Sequence, residues 1–308
     1  MDPELAVLAP MLPRADFSDL AATRALEARF LAVGSVPETS RTVETVDVRT
    51  AEGVTLRLFQ HPGAGPRPAV IFLRASAYAL GSLDSADRPG YALADELDLI
   101  AVTVDYRLAP QHPYPAALDD CAAALRWATS AAARAYGIDP DRVAVVGESA
   151  GGGLALALAL RAKQEGAARP VALLLDAPTI DDRCDTPSMR EFAETPMWRG
   201  ADCPILWDYY LGDYGRGSDD VPLLAAPARA TAADLAGLPP TWLATYQLDP
   251  TRDEALRLAG RLLEAGVPTE LVHHAGAYHL AHTLPGTRIG AYIVNQRNAA
   301  LRRLLPGL

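Results

Sequence analysis

From residue 69 onward the chain alternates short apolar runs with longer stretches in which apolar residues recur every three or four positions. Residues 69–73, 99–104, 143–146, 171–175, 242–245 and 270–273 read as strands. Residues 91–97, 116–136, 151–164, 252–265 and 288–305 read as helices, with Gly137 and Gly166 ending the second and third. Strands without polar alternation are covered on both faces, so this order predicts a mostly parallel sheet flanked by helices, an α/β fold. Upstream, residues 45–48 and 54–59 flank a turn at 51–53 and predict a hairpin at the antiparallel edge, followed by a Pro/Gly-rich loop over 61–68. Residues 16–33 carry the spacing of an amphipathic helix.

One stretch breaks the alternation. Residues 180–238 hold scattered prolines, aromatics and acids around a helix at 204–211, which is too long for a plain loop in a compact domain. It reads as an inserted cap that, with the N-terminal helix, roofs the site. The division expected is 1–40 for N-terminal cap helices, 41–179 and 236–308 for the α/β core, and 180–235 for the cap insertion.

Half of the 308 residues are hydrophobic and 21% are charged, which excludes wholesale disorder. A chain of this length buries enough surface to fold without disulfides. The net charge of −10 argues against nucleic acid or an anionic membrane as main partner, because both require a basic surface. Cys121, Cys184 and Cys203 show no CxxC or Cys/His spacing, so neither a metal site nor a disulfide framework is expected. The N-terminus has early acids and prolines and no basic n-region, unlike a signal peptide. The longest apolar run, residues 150–160, is too short to span a bilayer. These readings give a soluble cytoplasmic protein that acts on a small molecule without a metal or organic cofactor.

The chemistry sits where the apolar strand 143–146 runs through Gly147-Glu148-Ser149-Ala150-Gly151 straight into a helix. A strand, G-x-S-x-G and a helix in that order form a nucleophile elbow. The sharp turn exposes the serine hydroxyl, and the two glycines remove side chains where strand and helix crowd together. The helix N-terminus then favours developing negative charge.

A serine hydroxyl needs a base, and in this arrangement the acid and then the histidine follow the serine along the chain. Of the four later histidines, His273 and His274 adjoin a strand and read as structural. His279 falls in the loop after the last strand, with His282 a turn beyond as the alternative. Asp249 falls in the loop after the preceding strand. Asp253 and Glu254 lie in the first turn of the next helix, where acids occur for dipole reasons alone. Asp249 is therefore the expected partner of His279, and Asp253 the alternative.

With these three placed, the chain resembles the hormone-sensitive-lipase-like branch of the α/β-hydrolases, the bacterial carboxylesterases. The resemblance covers nearly all of it. The opening MDPELAVLAPML is similar to the family's N-terminal cap, DYRLAPQHPYPAALDD at 105–120 to its DYRLAPEHPFPAALDD, and GESAGG to its nucleophile block. LDPTRDE and GAYH resemble its acid and histidine blocks, which implies Asp249 as acid and His279 as base. It also implies an α/β-hydrolase fold with a helical cap and makes a homodimer plausible.

The chain departs from this pattern at two points. Where the family carries HGGG, this chain has Arg74-Ala75-Ser76-Ala77. That loop normally supplies oxyanion donors, which here implies the N–H groups of Ser76 and Ala77 with that of Ala150. A β-carbon strains any of these positions that requires positive φ. Either the loop keeps its path and donates, with the Ser76 hydroxyl as a possible helper, or the hole is impaired. Arg74 either binds a substrate carboxylate or phosphate or braces the loop. The second departure is Gln111 in place of the family's glutamate.

The function expected is a carboxylesterase-type serine hydrolase that cleaves a small-acyl ester through an acyl-enzyme on Ser149. Two alternatives remain at this stage. One is a lyase or cyclase that uses the triad without a standard oxyanion hole; the other is a ligand-binding receptor. Arg74, Tyr78, Glu148, Trp198 and Trp207 are assigned to substrate contact. Trp198 and Trp207, with Tyr209 and Tyr210, serve equally well as cap core.

Overall fold

The computed structural model describes residues 1–12, 14–33, 42–63, 65–284, 286–305 and 307–308. Residues 34–40 of the expected N-terminal cap, residue 41 of the expected core and residue 64 of the Pro/Gly-rich loop lie outside that set. One sheet contains β1 (Glu44–Arg49), β2 (Thr55–Gln60), β3 (Arg67–Leu73), β4 (Ile100–Val104), β5 (Ile138–Glu148), β6 (Leu173–Asp176), β7 (Thr241–Leu248) and β8 (Thr269–Tyr278). The strand order is β1-β2-β4-β3-β5-β6-β7-β8. All pairs from β4 across to β8 are parallel, and β2 runs antiparallel to both β1 and β4. The fold is an α/β-hydrolase fold with the hairpin at its antiparallel edge.

The helices are α1 (Pro3–Leu8), α2 (Leu20–Val33), α3 (Asp87–Leu97), α4 (Ala116–Ala128), α5 (Ala150–Gln164), α6 (Pro187–Glu191), α7 (Cys203–Leu211), α8 (Ala232–Leu235), α9 (Arg252–Glu264) and α10 (Arg288–Leu304). Successive side chains of a strand face opposite sides, and β3 shows what that does here. Ile71 and Leu73 pack with α4, α5 and α9, while Val70 and Phe72 pack with α3 and α10. Both faces of the interior strands β3, β4, β6 and β7 are dry, which is why those strands read as unbroken apolar runs.

Several elements differ in extent from the sequence expectation, β5, β7 and α3 being longer than expected, and three others differ for a local physical reason. The helix expected over 116–136 stops at Ala128 and resumes as a 3₁₀ turn over Ala131–Tyr136. Thr129 Oγ1 donates to the Leu125 carbonyl at 2.7 Å, and Ser130 Oγ accepts the Ala132 N–H at 3.2 Å. These local bonds compete with the helix ladder. The last strand runs on past His273 to Tyr278, because an edge strand alternates polar with apolar residues and so looks unlike a buried one. The N-terminal helix starts at Leu20 instead of residue 16, where Asp16 and Ser18 form a hydrogen-bonded turn.

Candidate active site

β5 becomes α5 through a single residue, Ser149, at φ 55° and ψ −121°. A non-glycine residue in that region stores about 1–3 kcal/mol of strain. Three hydrogen bonds hold it there. The Ser149 N–H donates to the Asp176 carbonyl at 2.8 Å, and the Ser149 carbonyl accepts from the N–H groups of Thr179 at 3.0 Å and Gly153 at 3.1 Å. A β-carbon on Gly147 would collide with the Gly151 carbonyl, and one on Gly151 with the Leu73 carbonyl. The strand-to-helix turn closes only without those side chains.

β7 ends one residue before Asp249 and β8 one residue before His279, so both side chains project from the C-terminal edge of the sheet beside Ser149. His279 Nε2 lies 2.9 Å from Ser149 Oγ, and its Nδ1 lies 2.8 Å from Asp249 Oδ2. The other Asp249 oxygen accepts from the Thr251 N–H at 2.8 Å and the Thr251 hydroxyl at 2.9 Å. Because an ionised carboxylate only accepts, the imidazole proton is on Nδ1 and the Nε2 lone pair faces the serine. All three side chains are buried. The alternatives lie elsewhere. Asp253 accepts the Ser188 N–H and pairs with Arg252, which ties α9 to α6. His282 bonds to Glu148 and Tyr246.

The loop after β3 keeps a tight path. Ala77 and Tyr78 have φ of 46° and 59°, whereas Ala75 and Ser76 avoid positive φ. Of the three positions aligned with glycines, only Ala77 is therefore strained. The Ser76 hydroxyl accepts the Tyr78 N–H at 3.1 Å, and the Ser76 carbonyl accepts from Ala79 and Leu80 at 2.9 and 2.7 Å. The hydroxyl is engaged in bracing the loop. Among the described residues, the N–H groups of Ser76, Ala77 and Ala150 find no acceptor.

Several residues assigned to substrate contact sit differently. Arg74 is 3% exposed. Its guanidinium lies 3.9 Å over the Tyr106 ring and donates to the Val104 carbonyl at 2.9 Å, while the Tyr106 hydroxyl donates to the Arg74 carbonyl at 3.0 Å. It braces the loop from beneath, with Nη1 on Val104 and its Nε and Nη2 buried without a hydrogen-bond partner among the described residues. Glu148 points inward to His282 and Arg297, because the nucleophile turn sends consecutive side chains to opposite sides. Tyr78 donates to the Thr179 carbonyl at 2.8 Å and stacks on Tyr210 with ring centres 3.9 Å apart. Trp207 packs against both of those rings as core. Trp198 differs: its ring stacks at 5.7 Å on His279. The sequence reading missed Thr251, although a hydroxyl two residues after a loop aspartate is what an Asx turn uses.

Glu148, Asp176 and His282 bring possible ligand atoms within 4.8 Å of one another. The Arg297 guanidinium lies on Glu148 and the Tyr246 hydroxyl on Asp176, so a cation's place is already filled by donors. No helix among the described residues is long and apolar enough to cross a membrane.

Residues 70–283 match the family described as alpha/beta hydrolase fold. The chain is 39% identical over 214 residues to the carboxylesterase NlhH of Mycobacterium tuberculosis, covering 69% of this chain and 66% of that protein. It is 32% identical over 245 residues to the ethyl acetate hydrolase of Pseudomonas putida, covering 77% and 74%. A solved structure, a bacterial heroin esterase, matches with a TM-score of 0.92 at 36% identity, over 100% of this chain and 98% of that one. All three relatives are named as ester-cleaving enzymes, and the lyase or cyclase alternative finds no support among them.

Proposed function

We propose, since the chain belongs to the α/β-hydrolase fold family, that it is a carboxylic ester hydrolase cleaving small-acyl esters through an acyl-enzyme on Ser149. The observation that carries this is the unbroken relay from Ser149 Oγ through His279 to Asp249, and it is supported by the N–H groups of Ser76, Ala77 and Ala150, which find no acceptor among the described residues. In this reading Ser149 Oγ attacks the ester carbonyl while His279 Nε2 takes its proton. The developing oxyanion is met by the N–H groups of Ser76, Ala77 and Ala150, each worth roughly 10²–10³ in rate. His279 then protonates the leaving alkoxide, and Asp249 stabilises the imidazolium. Water repeats the sequence on the acyl-enzyme and frees the acid.

The packing supports a short acyl group. Phe17, Ala77, Ala79, Met189, Trp198, Cys203 and Leu206 form one apolar cluster that joins the N-terminal segment, the donor loop and the cap insertion. Ser149 beneath it is 3% exposed. One relative's name, ethyl acetate hydrolase, points the same way. In this reading catalysis belongs to the core and the roof to the described residues of the N-terminal segment up to 33 and to residues 180–235. A cytoplasmic location and a homodimer complete the proposal, tested by cell fractionation and light scattering. The decisive experiment compares hydrolysis of p-nitrophenyl acetate and butyrate by the wild type and Ser149→Ala. Turnover that vanishes in the variant supports the reading; wild-type turnover no faster than the variant's sinks it.

A further inference from the structure

Behind the nucleophile turn lies a buried polar cluster with no part in the acyl-transfer steps above. Glu148 Oε1 accepts from His282 Nε2 at 3.1 Å and from Arg297 Nη1 at 2.9 Å. The Tyr246 hydroxyl donates to Asp176 Oδ1 at 2.7 Å and lies 3.0 Å from His282 Nδ1. Asp176 Oδ2 faces that same nitrogen at 3.8 Å and has no hydrogen-bond partner. The side chains of His282, Glu148, Asp176 and Arg297 are all at least nine-tenths buried.

With Glu148 and Asp176 both taken as carboxylates, counting donors sets the state of the ring. Both carboxylates only accept, so His282 Nε2 carries a hydrogen toward Glu148. Tyr246 has one hydroxyl proton, and it lies on Asp176, so the Tyr246 oxygen accepts from Nδ1–H. A histidine that donates through both nitrogens is an imidazolium. The charges agree: two carboxylates meet one guanidinium and one imidazolium, leaving no uncompensated buried charge. Burial alone pushes the His282 pKa down, but the Glu148 and Asp176 carboxylates outweigh it and hold it up, with Arg297 opposing them.

The cluster also joins the segments that carry the triad. Glu148 precedes Ser149, and the Asp176 backbone carbonyl accepts the Ser149 N–H. Tyr246 lies three residues before Asp249, and His282 three residues after His279. Among the described residues, Glu148–His282 is the one side-chain hydrogen bond besides Ser149–His279 that connects the nucleophile turn to the base loop.

We infer that His282 is a positioning residue for ester cleavage, a buried imidazolium that clamps the base loop to Glu148 and Asp176 and so sets the separation of Ser149 Oγ from His279 Nε2. This rests on the esterase reading. Loss of its proton leaves a buried carboxylate uncompensated and removes a donor, so the clamp loosens as pH rises. The groups facing it are Glu148 from β5, Asp176 from β6, Tyr246 from β7, His274 from β8, Arg297 from α10 and His279 from its own loop. Burial lowers the His274 pKa, so His274 adds no competing charge.

The test measures kcat and KM for p-nitrophenyl butyrate from about pH 5 to about pH 10. The wild type should show an alkaline fall in kcat besides the acid limb of a histidine base. Glu148→Gln should move that fall to lower pH, and Arg297→Met should move it higher. His282→Gln should abolish it and lower kcat about tenfold near neutrality, with KM changed less than about twofold. A wild-type kcat that stays flat into alkali, or a His282→Gln profile matching the wild type's, overturns the inference. Should the variants fail to fold, ¹⁵N-histidine NMR of the wild type decides, with His282 assigned through variants at other histidines. Imidazolium shifts near neutrality support the clamp and neutral-ring shifts overturn it. Absent wild-type hydrolysis would defeat the esterase reading instead, while the NMR result would still judge the charge.

Discussion

Arg24 on α2 donates its Nε to the Ala79 carbonyl at 2.9 Å, and so grips the donor loop two residues beyond Ala77. Its Nη2 reaches the Ala109 carbonyl at 2.9 Å and Gln111 Oε1 at 3.0 Å. One helical turn on, Glu27 accepts the Gly81 N–H at 2.8 Å. One guanidinium thus meets Gln111, one departure from the family pattern, and the chain just past the other, the Arg74–Ala77 loop. The Glu27 carboxyl is pushed up by burial and held back by the Gly81 N–H and by the Arg74 and Arg24 charges.

Arg24→Ala should therefore act on the transition state more than on binding. The expected loss in kcat is about tenfold, smaller than deletion of a donor, with KM little changed. Affinity for a trifluoromethyl ketone, which forms a tetrahedral oxyanion on the serine, should weaken in proportion, and Arg24→Lys should recover part of it. Unchanged inhibitor affinity would reduce α2 to a cover.

The loop offers a paired test. Ala77→Gly relieves a left-handed alanine and should leave the protein equally stable or more stable by up to about 1 kcal/mol. Ser76→Gly removes the acceptor for the Tyr78 N–H and should destabilise by about 1 kcal/mol while slowing turnover. Thermal melts of the two variants moving in the same direction would contradict the assignment of strain to Ala77 alone.

Asp249→Asn keeps the shape and loses the charge. The amide can donate to His279 Nδ1 and stabilise the tautomer with its proton on Nε2, so kcat should fall on the order of 10³–10⁴. Thr251→Val, which deletes one bond to Asp249, should cost far less. Steady-state kinetics with p-nitrophenyl butyrate separates the two.

Much of this was legible in the sequence, for physical reasons. Strands buried on both faces announce themselves as apolar runs, and the nucleophile turn requires glycines on either side of Ser149, so sheet, turn and order could be read from one chain. His279 and Asp249 were narrowed by chain order and by the loops they occupy. The roles of Arg74 and Glu148 were not legible, because the direction of a buried charge depends on partners far along the chain: Val104 and Tyr106 for one, His282 and Arg297 for the other. His282 carried no local signal, since its donors and acceptors come from β5, β6 and β7. The break at Thr129 turned on hydroxyl hydrogen bonds that periodicity does not register.

Trp198 roofs His279, so Trp198→Ala should widen the site. The ratio of kcat/KM for p-nitrophenyl octanoate over acetate should rise, by roughly tenfold if the indole blocks about two methylenes. An unchanged chain-length profile would assign Trp198 to packing.

Stability should track the buried cluster. His282 is held above its ordinary 6.5, so its contribution is complete below that value and fades as pH rises through the elevated one. Glu148 is held below its ordinary 4.5 despite burial, chiefly by the His282 charge and hydrogen bond and by Arg297, so its contribution fades as pH falls. Urea midpoints of the wild type should drop as pH rises above 6.5, and those of His282→Gln should drop less.

The apolar cluster of Phe17, Ala77, Ala79, Met189, Trp198, Cys203 and Leu206 fastens roof and donor loop into one body. Any lifting of the cap would therefore pull on Ala77, one of the donors proposed for the oxyanion. In the proposed reaction, a molecule opened that way would lose the placement of the Ala77 N–H and regain it on closing. A substrate too large for that packing would be excluded twice, once by space and once by the displaced donor beneath it.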